Sequence, residues 1–168
     1  MIRTVLFGGS FNPVHVGHLA LADTVLRQGL SDEVWFVVSP RNPLKPTADA
    51  ADAQQRLNAV REALVGHPGC VASDLEFDQP LPSYSVQTIR KAIASWPDRR
   101  FILLIGGDNL DVFTQWKEYE WLLEHIDILV YPRPGASNVV PADWKRVKML
   151  EGPLMDVSST QIRQQKSQ

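Results

Sequence analysis

The sequence predicts an α/β fold, a doubly wound parallel sheet with helices on both faces. Three observations carry this. Strand-like and helix-like patterns alternate along the whole chain. The strand segments, such as Val34-Trp35-Phe36-Val37-Val38 and Phe101-Ile102-Leu103-Leu104-Ile105, are apolar runs without polar alternation. Strands buried on both faces read this way, and right-handed crossovers between them give the doubly wound arrangement. Finally, each segment with chemical character follows a strand end or opens a helix. In such folds ligands bind there, beyond the carboxyl ends of the strands.

Taken in order, residues 2–7 read as a first buried strand. Residues 19–26 read as a helix that Gly29 stops. Residues 33–38 form the second strand, followed by a polar, Pro-rich loop over 39–51. Residues 52–64 are helical in pattern, with Leu57, Val60, Ala63 and Leu64 on one face. Residues 71–77 are expected as a short third strand. Residues 85–96 read as a helix closed by Pro97. Residues 101–105 form a buried strand that runs into Gly106-Gly107-Asp108. Two short helices are expected at 111–116 and 118–124, then a strand at 126–131. After a loop from Pro132 come a weak strand at 147–150 and a last helix from about Ser158.

The bulk properties bound the function. A chain of 168 residues suits one domain with a sizeable core. A net charge of -2 argues against a general nucleic-acid or membrane-surface binder, so any phosphate binding must be local. Cys70 is the only cysteine, which excludes an internal disulfide and a cysteine zinc site. No apolar run reaches membrane-spanning length, and the chain enters a strand at once. A cytoplasmic location is expected.

The richest segment is Gly8-Gly9-Ser10-Phe11-Asn12-Pro13-Val14-His15-Val16-Gly17-His18, between the first strand and the first helix. Helix N-termini offer unpaired N–H groups and a partial positive charge, which favour anions. Gly8 and Gly9 let backbone approach a ligand closely. His15 and His18, three apart, share a helix face. The plain alternative is a helix start with two surface histidines. No Gly-Lys-Ser/Thr follows, which excludes a P-loop, and the glycines do not match the dinucleotide fingerprint.

Further candidates lie downstream. Asp108 could bond a ribose hydroxyl, help hold a metal-bound nucleotide, or simply cap a helix. Lys45, in Asn42-Pro43-Leu44-Lys45-Pro46, is a mobile phosphate partner or a solvated surface charge. Tyr84 and Trp116 could sandwich a flat ring, or only pack. Amides at the start of the helix after Tyr84 could hold a carboxylate. Ser158, Ser159 and Thr160 offer hydroxyls at a helix start, with Arg163 three residues on; this suits terminal phosphates, and Ser158-x-x-Gln161 also fits a capping box. Trp35, Trp96, Trp121 and Trp144 read as packing residues, and Cys70 as a buried hydrophobe. His67 and His125 show no partner.

The first loop resembles the signature of the H-x-G-H nucleotidyltransferases, and within them most closely the nicotinate-nucleotide adenylyltransferases. Val157-Ser158-Ser159-Thr160-Gln161-Ile162-Arg163 resembles the second signature, I-S-S-T-x-I-R, with Val157 for Ile. Gly106, Asp108 and Trp116 match G-x-D followed by a Trp. Pro82 to Ile89 is similar to P-S-Y-T-x-x-T-L, with Ser85 for Thr and Ile89 for Leu, and brings in Thr88. Arg133 matches the second Arg of an R-R-P-G turn whose first Arg is Pro132 here. The likeness runs in order from Gly8 to Arg163.

The resemblance implies a Rossmann-like nucleotidyltransferase domain over 1–168, with an unusually short C-terminus. It implies adenylyl transfer from ATP to nicotinate mononucleotide, with His15 and His18 as catalytic residues. ATP would meet Gly8, Gly9, Ser10, Phe11, His15, His18, Gly106, Asp108, Ser158, Ser159, Thr160 and Arg163. The mononucleotide would meet Asn42, Lys45, Tyr84, Thr88, Trp116 and Arg133. Mg²⁺ is expected to travel with ATP, since the chain shows no carboxylate cage. Alternatives are adenylyl or cytidylyl transfer to phosphopantetheine, nicotinamide mononucleotide or glycerol phosphate, a non-catalytic nucleotide-binding protein, and a metal hydrolase built on His15, His18 and Asp108. The oligomeric state is left open.

Overall fold

Apolar runs become the core of one parallel sheet. The computed structural model describes residues 1–42, 44, 45, 47, 49–80 and 83–152. In chain order the elements are β1 (Ile2–Gly9), α1 (Val16–Arg27), β2 (Glu33–Val38), α2 (Ala50–Ala63), β3 (Cys70–Ser73), α3 (Ser85–Ser95), β4 (Arg99–Gly106), α4 (Gly107–Asp111), a 3-10 turn (Phe113–Gln115), α5 (Tyr119–His125), β5 (Asp127–Tyr131) and β6 (Val147–Met149). The six strands lie in the order β3-β2-β1-β4-β5-β6, and every pairing is parallel. The strand order reverses between β1 and β4, so the crevice beyond Gly9 and Gly106 is the topological switch point.

Alternate residues of each strand feed opposite cores. Phe7, Phe36, Val38 and Leu104 pack with Leu21, Ala22 and Val25 of α1 and Leu57 and Val60 of α2. Leu6, Val37, Leu103 and Ile105 pack with Val86, Ile89 and Ala92 of α3 and Leu122 of α5. Burying a side chain such as Phe36 contributes about 1.5–3 kcal/mol. Trp35 and Trp96 meet edge to face at 4.8 Å, and Trp144 packs on Phe113 at 5.8 Å, as packing aromatics should.

The structure corrects three boundaries. β3 stops at Ser73, short of the expected residue 77, because the Ser73 hydroxyl accepts the Leu75 N–H at 3.2 Å and turns the chain. Leu75 then reaches the core from a turn. The helix after β4 starts at Gly107, well before residue 111, and the element expected over 111–116 divides into α4 and the 3-10 turn. Asp108 therefore lies inside the first turn of α4, with Gly106 as the cap. The helix expected from Ser158 lies outside the described residues. His67 has a partner after all, Asp23 at 3.6 Å, and His125 stacks on Trp121 at 4.4 Å. Cys70 is only partly buried, though burial, with Asp23 adding to it, pushes its thiol up to about 11.

Candidate active site

The loop after β1 delivers two histidines in a reciprocal cap. His15 is the N-cap of α1, with an extended backbone (φ -144°, ψ 176°). Its Nδ1 accepts the Gly17 N–H at 3.1 Å, and its own N–H donates to His18 Nδ1 at 3.1 Å. This is a capping box made with imidazoles in place of hydroxyl and carboxylate. A ring nitrogen that accepts an N–H cannot also carry a proton. The geometry therefore assigns the proton of each ring to Nε2. The two rings lie 3.8 Å apart at 31°. Two Nε2–H donors thus sit together at a helix N-terminus, where the macrodipole adds to their pull on an anion.

His18 is no surface residue. It is 6% exposed and packs against Phe11 at 5.1 Å and Phe7 at 6.0 Å. Phe11 itself has a left-handed backbone (φ 48°) and is buried. A Cβ on Gly9 would meet the Phe11 ring at 3.4 Å, an ordinary van der Waals contact. A Cβ on Gly8 would meet nothing within 4 Å among the described residues. Gly8 shares a small cleft with Glu76, Ser85 and Thr88, which connects the loop to the start of α3.

Sequence reasoning passed over Arg56, the residue that holds this loop. Its guanidinium, 5% exposed, donates to the Ser10 carbonyl at 2.8 Å, the Ser39 carbonyl at 2.7 Å and the Pro40 carbonyl at 3.2 Å. Asp52 fixes its Nε at 2.9 Å and also accepts from Asn42 at 3.3 Å. One side chain so joins the loops after β1 and β2. The only signal was Asp52 four residues before Arg56, a spacing that reads as an ordinary helical ion pair.

Asn42 and Lys45 lie in the second of these loops. Asn42 is buried and its Oδ1 accepts the Leu44 N–H at 3.0 Å, so it shapes the loop. Lys45 is exposed, with Asp49 at 3.6 Å. Across the switch point, Asp108 lies 3.9 Å from Arg133. The glycines before it are required by close approach. A Cβ on Gly106 would fall 2.9 Å from Arg133 Cδ, and one on Gly107 only 2.0 Å from Asn138 Oδ1. Asn138 in turn accepts the Arg133 N–H at 3.0 Å and donates to the Arg133 carbonyl at 3.0 Å, which closes the turn that presents Arg133.

At the start of α3, a cavity of about 350 Å³ is lined by Ser83, Tyr84, Ser85, Gln115, Trp116 and Lys117. Trp116 also packs on Phe113 at 4.9 Å. Tyr84 caps α3 with no side-chain bond to its first amides. Thr88 lies one turn further and is buried; its hydroxyl donates to Glu76 at 2.7 Å. The structure thus groups the expected residues around the carboxyl edge of the sheet. Ser158, Ser159, Thr160 and Arg163 lie outside the described residues. A larger cavity of about 400 Å³ opens at the opposite edge among Arg3, Arg100, Lys145, Arg146 and Lys148. It carries none of the expected chemistry, and Asp32 and Asp127 already pair with its arginines.

Comparison with known proteins places the chain in a family. The Cytidylyltransferase-like family matches residues 6–165. A protein of Cytophaga hutchinsonii named probable nicotinate-nucleotide adenylyltransferase is 44% identical over 158 residues, 94% of this chain and 82% of that one. One of Bacteroides fragilis with the same name is 43% identical, over 96% of this chain and 81% of that one. Plasmodium falciparum nicotinic acid mononucleotide adenylyltransferase complexed with APC superposes with a TM-score of 0.77 at 16% identity, covering 98% of this chain and 83% of that one. The last likeness shows the fold, and the first three go further: the chain belongs to the Cytidylyltransferase-like family of nucleotidyltransferases.

Proposed function

We propose that this protein joins ATP and nicotinate mononucleotide, forming nicotinate adenine dinucleotide and releasing pyrophosphate, a step of NAD biosynthesis. The observation that carries it is one juxtaposition. The paired Nε2–H donors of His15 and His18 lie at the switch point, and an aromatic-walled cavity lies at the start of α3. The names of the relatives point the same way, as do Plasmodium falciparum structures complexed with APC and with NaAD.

The chemistry asks little of a base. A phosphate oxygen of the mononucleotide is already ionised. It attacks the α-phosphorus of ATP in line; the bond to the bridging oxygen breaks, and pyrophosphate takes the electron pair. The protein must hold the two phosphates in line and stabilise the growing negative charge. His15 and His18 donate to triphosphate oxygens through Nε2. His18 is the better placed to hold its geometry, because Phe7 and Phe11 fix its ring. Gly8, Gly9, Ser10 and Phe11 shape the loop beside ATP, and Gly106 and Asp108 meet its nucleoside. Lys45 and Arg133 neutralise phosphate charge, with Asn42 holding the Lys45 loop. Tyr84, Thr88 and Trp116 form the ring side of the site. Ser158, Ser159, Thr160 and Arg163 serve the terminal phosphates.

Mg²⁺ bound to ATP would neutralise and orient the leaving pyrophosphate. No group of three His, Cys, Asp or Glu that could hold a metal occurs among the described residues. The exposed Asp108 carboxylate at the end of β4 suits an ion held mainly by phosphates. We place the reaction in the cytoplasm, where ATP and free mononucleotides are found.

The test is a coupled assay of the purified protein with ATP, Mg²⁺ and one acceptor at a time. Pyrophosphate and nicotinate adenine dinucleotide should form together. Faster turnover with phosphopantetheine, glycerol phosphate or a cytidylyl donor would overturn the reading, and so would nucleotide binding without turnover.

A further inference from the structure

We propose that the side chain of Lys117 selects a carboxylate-bearing ring over its carboxamide counterpart. This rests on the functional reading above and names the group that sets its substrate preference. Lys117 lines the α3 cavity with Tyr84 and Trp116, and its ammonium lies 4.7 Å from the centre of the Tyr84 ring. Among the described lining residues it is the only one with a formal charge. A flat ring resting on Tyr84 or Trp116 is brought close to that charge.

The neighbouring acid does not cancel it. Glu118 has a left-handed backbone (φ 53°), and both its oxygens accept from Arg90, at 2.8 and 2.9 Å. The cation–π contact holds Lys117 over the cavity wall without occupying its hydrogen-bond donors. Ser83, another lining residue, has a buried Oγ with no hydrogen-bond partner among the described residues.

Nicotinate and nicotinamide mononucleotides differ at the ring substituent, one carrying a full negative charge there and the other none. An ammonium at that end of the cavity therefore adds attraction for the first with little for the second. Lys117 is exposed, so the effect is that of a solvent-accessible ion pair, about three- to fivefold in affinity.

The experiment measures kcat/KM for both mononucleotides at saturating ATP in the full chain. Nicotinamide mononucleotide is read as a substrate or as a competing inhibitor. Lys117→Met, which keeps the aliphatic stem over Tyr84, should lower the preference for nicotinate about three- to fivefold. The change should lie in KM for nicotinate mononucleotide, with the melting temperature unmoved. Lys117→Arg should keep the preference, and Lys117→Glu should lower it further. Added salt should erode the preference of the unmodified protein more than that of Lys117→Met. An unchanged preference in both Met and Glu variants overturns the assignment, as does an equal loss for both mononucleotides. Absence of turnover with either one in the unmodified protein would overturn the functional reading and this assignment with it.

Discussion

The backbone N–H of His15 donates to Nδ1 of His18, while Nδ1 of His15 accepts from Gly17. One pair of side chains both caps α1 and keeps an Nε2–H on each ring as a donor. Capping and catalysis can be separated by substitution. Serine is a natural N-cap, so His15→Ser keeps the bond to the Gly17 N–H and loses the Nε2 donor. It should lower kcat by about 10²–10³, the usual cost of one such donor, with a nearly unchanged melting curve. His18→Ala should lower kcat by at least about tenfold and also melt earlier, since its ring packs on Phe11. Near-normal turnover in His15→Ser would assign this histidine to structure alone.

Arg56 should be among the least replaceable residues outside direct contact with substrate. Arg56→Met removes the donors to the Ser10, Ser39 and Pro40 carbonyls and strands Asp52. Breaking a buried pair of this kind costs about 3 kcal/mol. Denaturant unfolding reads that loss directly. KM for ATP should rise in the same variant, because the loop carrying Ser10 loses its anchor. An unfolding midpoint equal to that of the unmodified protein would show that the loops hold themselves.

Trp116→Ala should weaken the mononucleotide and leave ATP nearly unchanged. Stacking is worth about 0.5–1.5 kcal/mol beyond area burial, a two- to tenfold rise in Kd. Calorimetric titration of each ligand separates the two. The packing of Trp116 on Phe113 means the variant should also melt earlier, so stability alone does not decide the role. Equal losses for ATP and mononucleotide would remove Trp116 from the ring side of the site.

The alternation of apolar runs with helical patterns made the parallel sheet legible, because strands covered on both faces have no polar face to obscure their period. The site loop was legible because its chemistry is local: His15 and His18 bond to each other and to Gly17. What escaped depends on contacts distant in sequence. Arg56 reaches backbone carbonyls, which have no sequence signature. Lys117 carries no motif of its own in the sequence, and only the fold brings its ammonium over the Tyr84 ring. Leu75 and Phe77 look like strand residues, yet a serine turn carries the chain out of the sheet before them.

Glu76 gives a prediction in pH. It lies in the cleft with Gly8 and accepts from the Thr88 hydroxyl at 2.7 Å. Burial raises its carboxyl above the ordinary value, and the Thr88 bond only partly opposes this. A raised carboxyl binds its proton more tightly in the folded than in the unfolded chain. Its contribution to stability is therefore full below the unfolded pKa, about 4.3, and is lost as pH rises through the folded value. Glu76→Gln keeps an acceptor for Thr88 and removes the ionisation. The variant should match the unmodified protein at about pH 4 and melt at a higher temperature at neutral pH. Thermal melts across that range check it: the difference should grow with pH and then level off. A difference that is constant with pH, or that favours the unmodified protein at neutral pH, would mean that the charged carboxylate is better held in the fold than its burial implies.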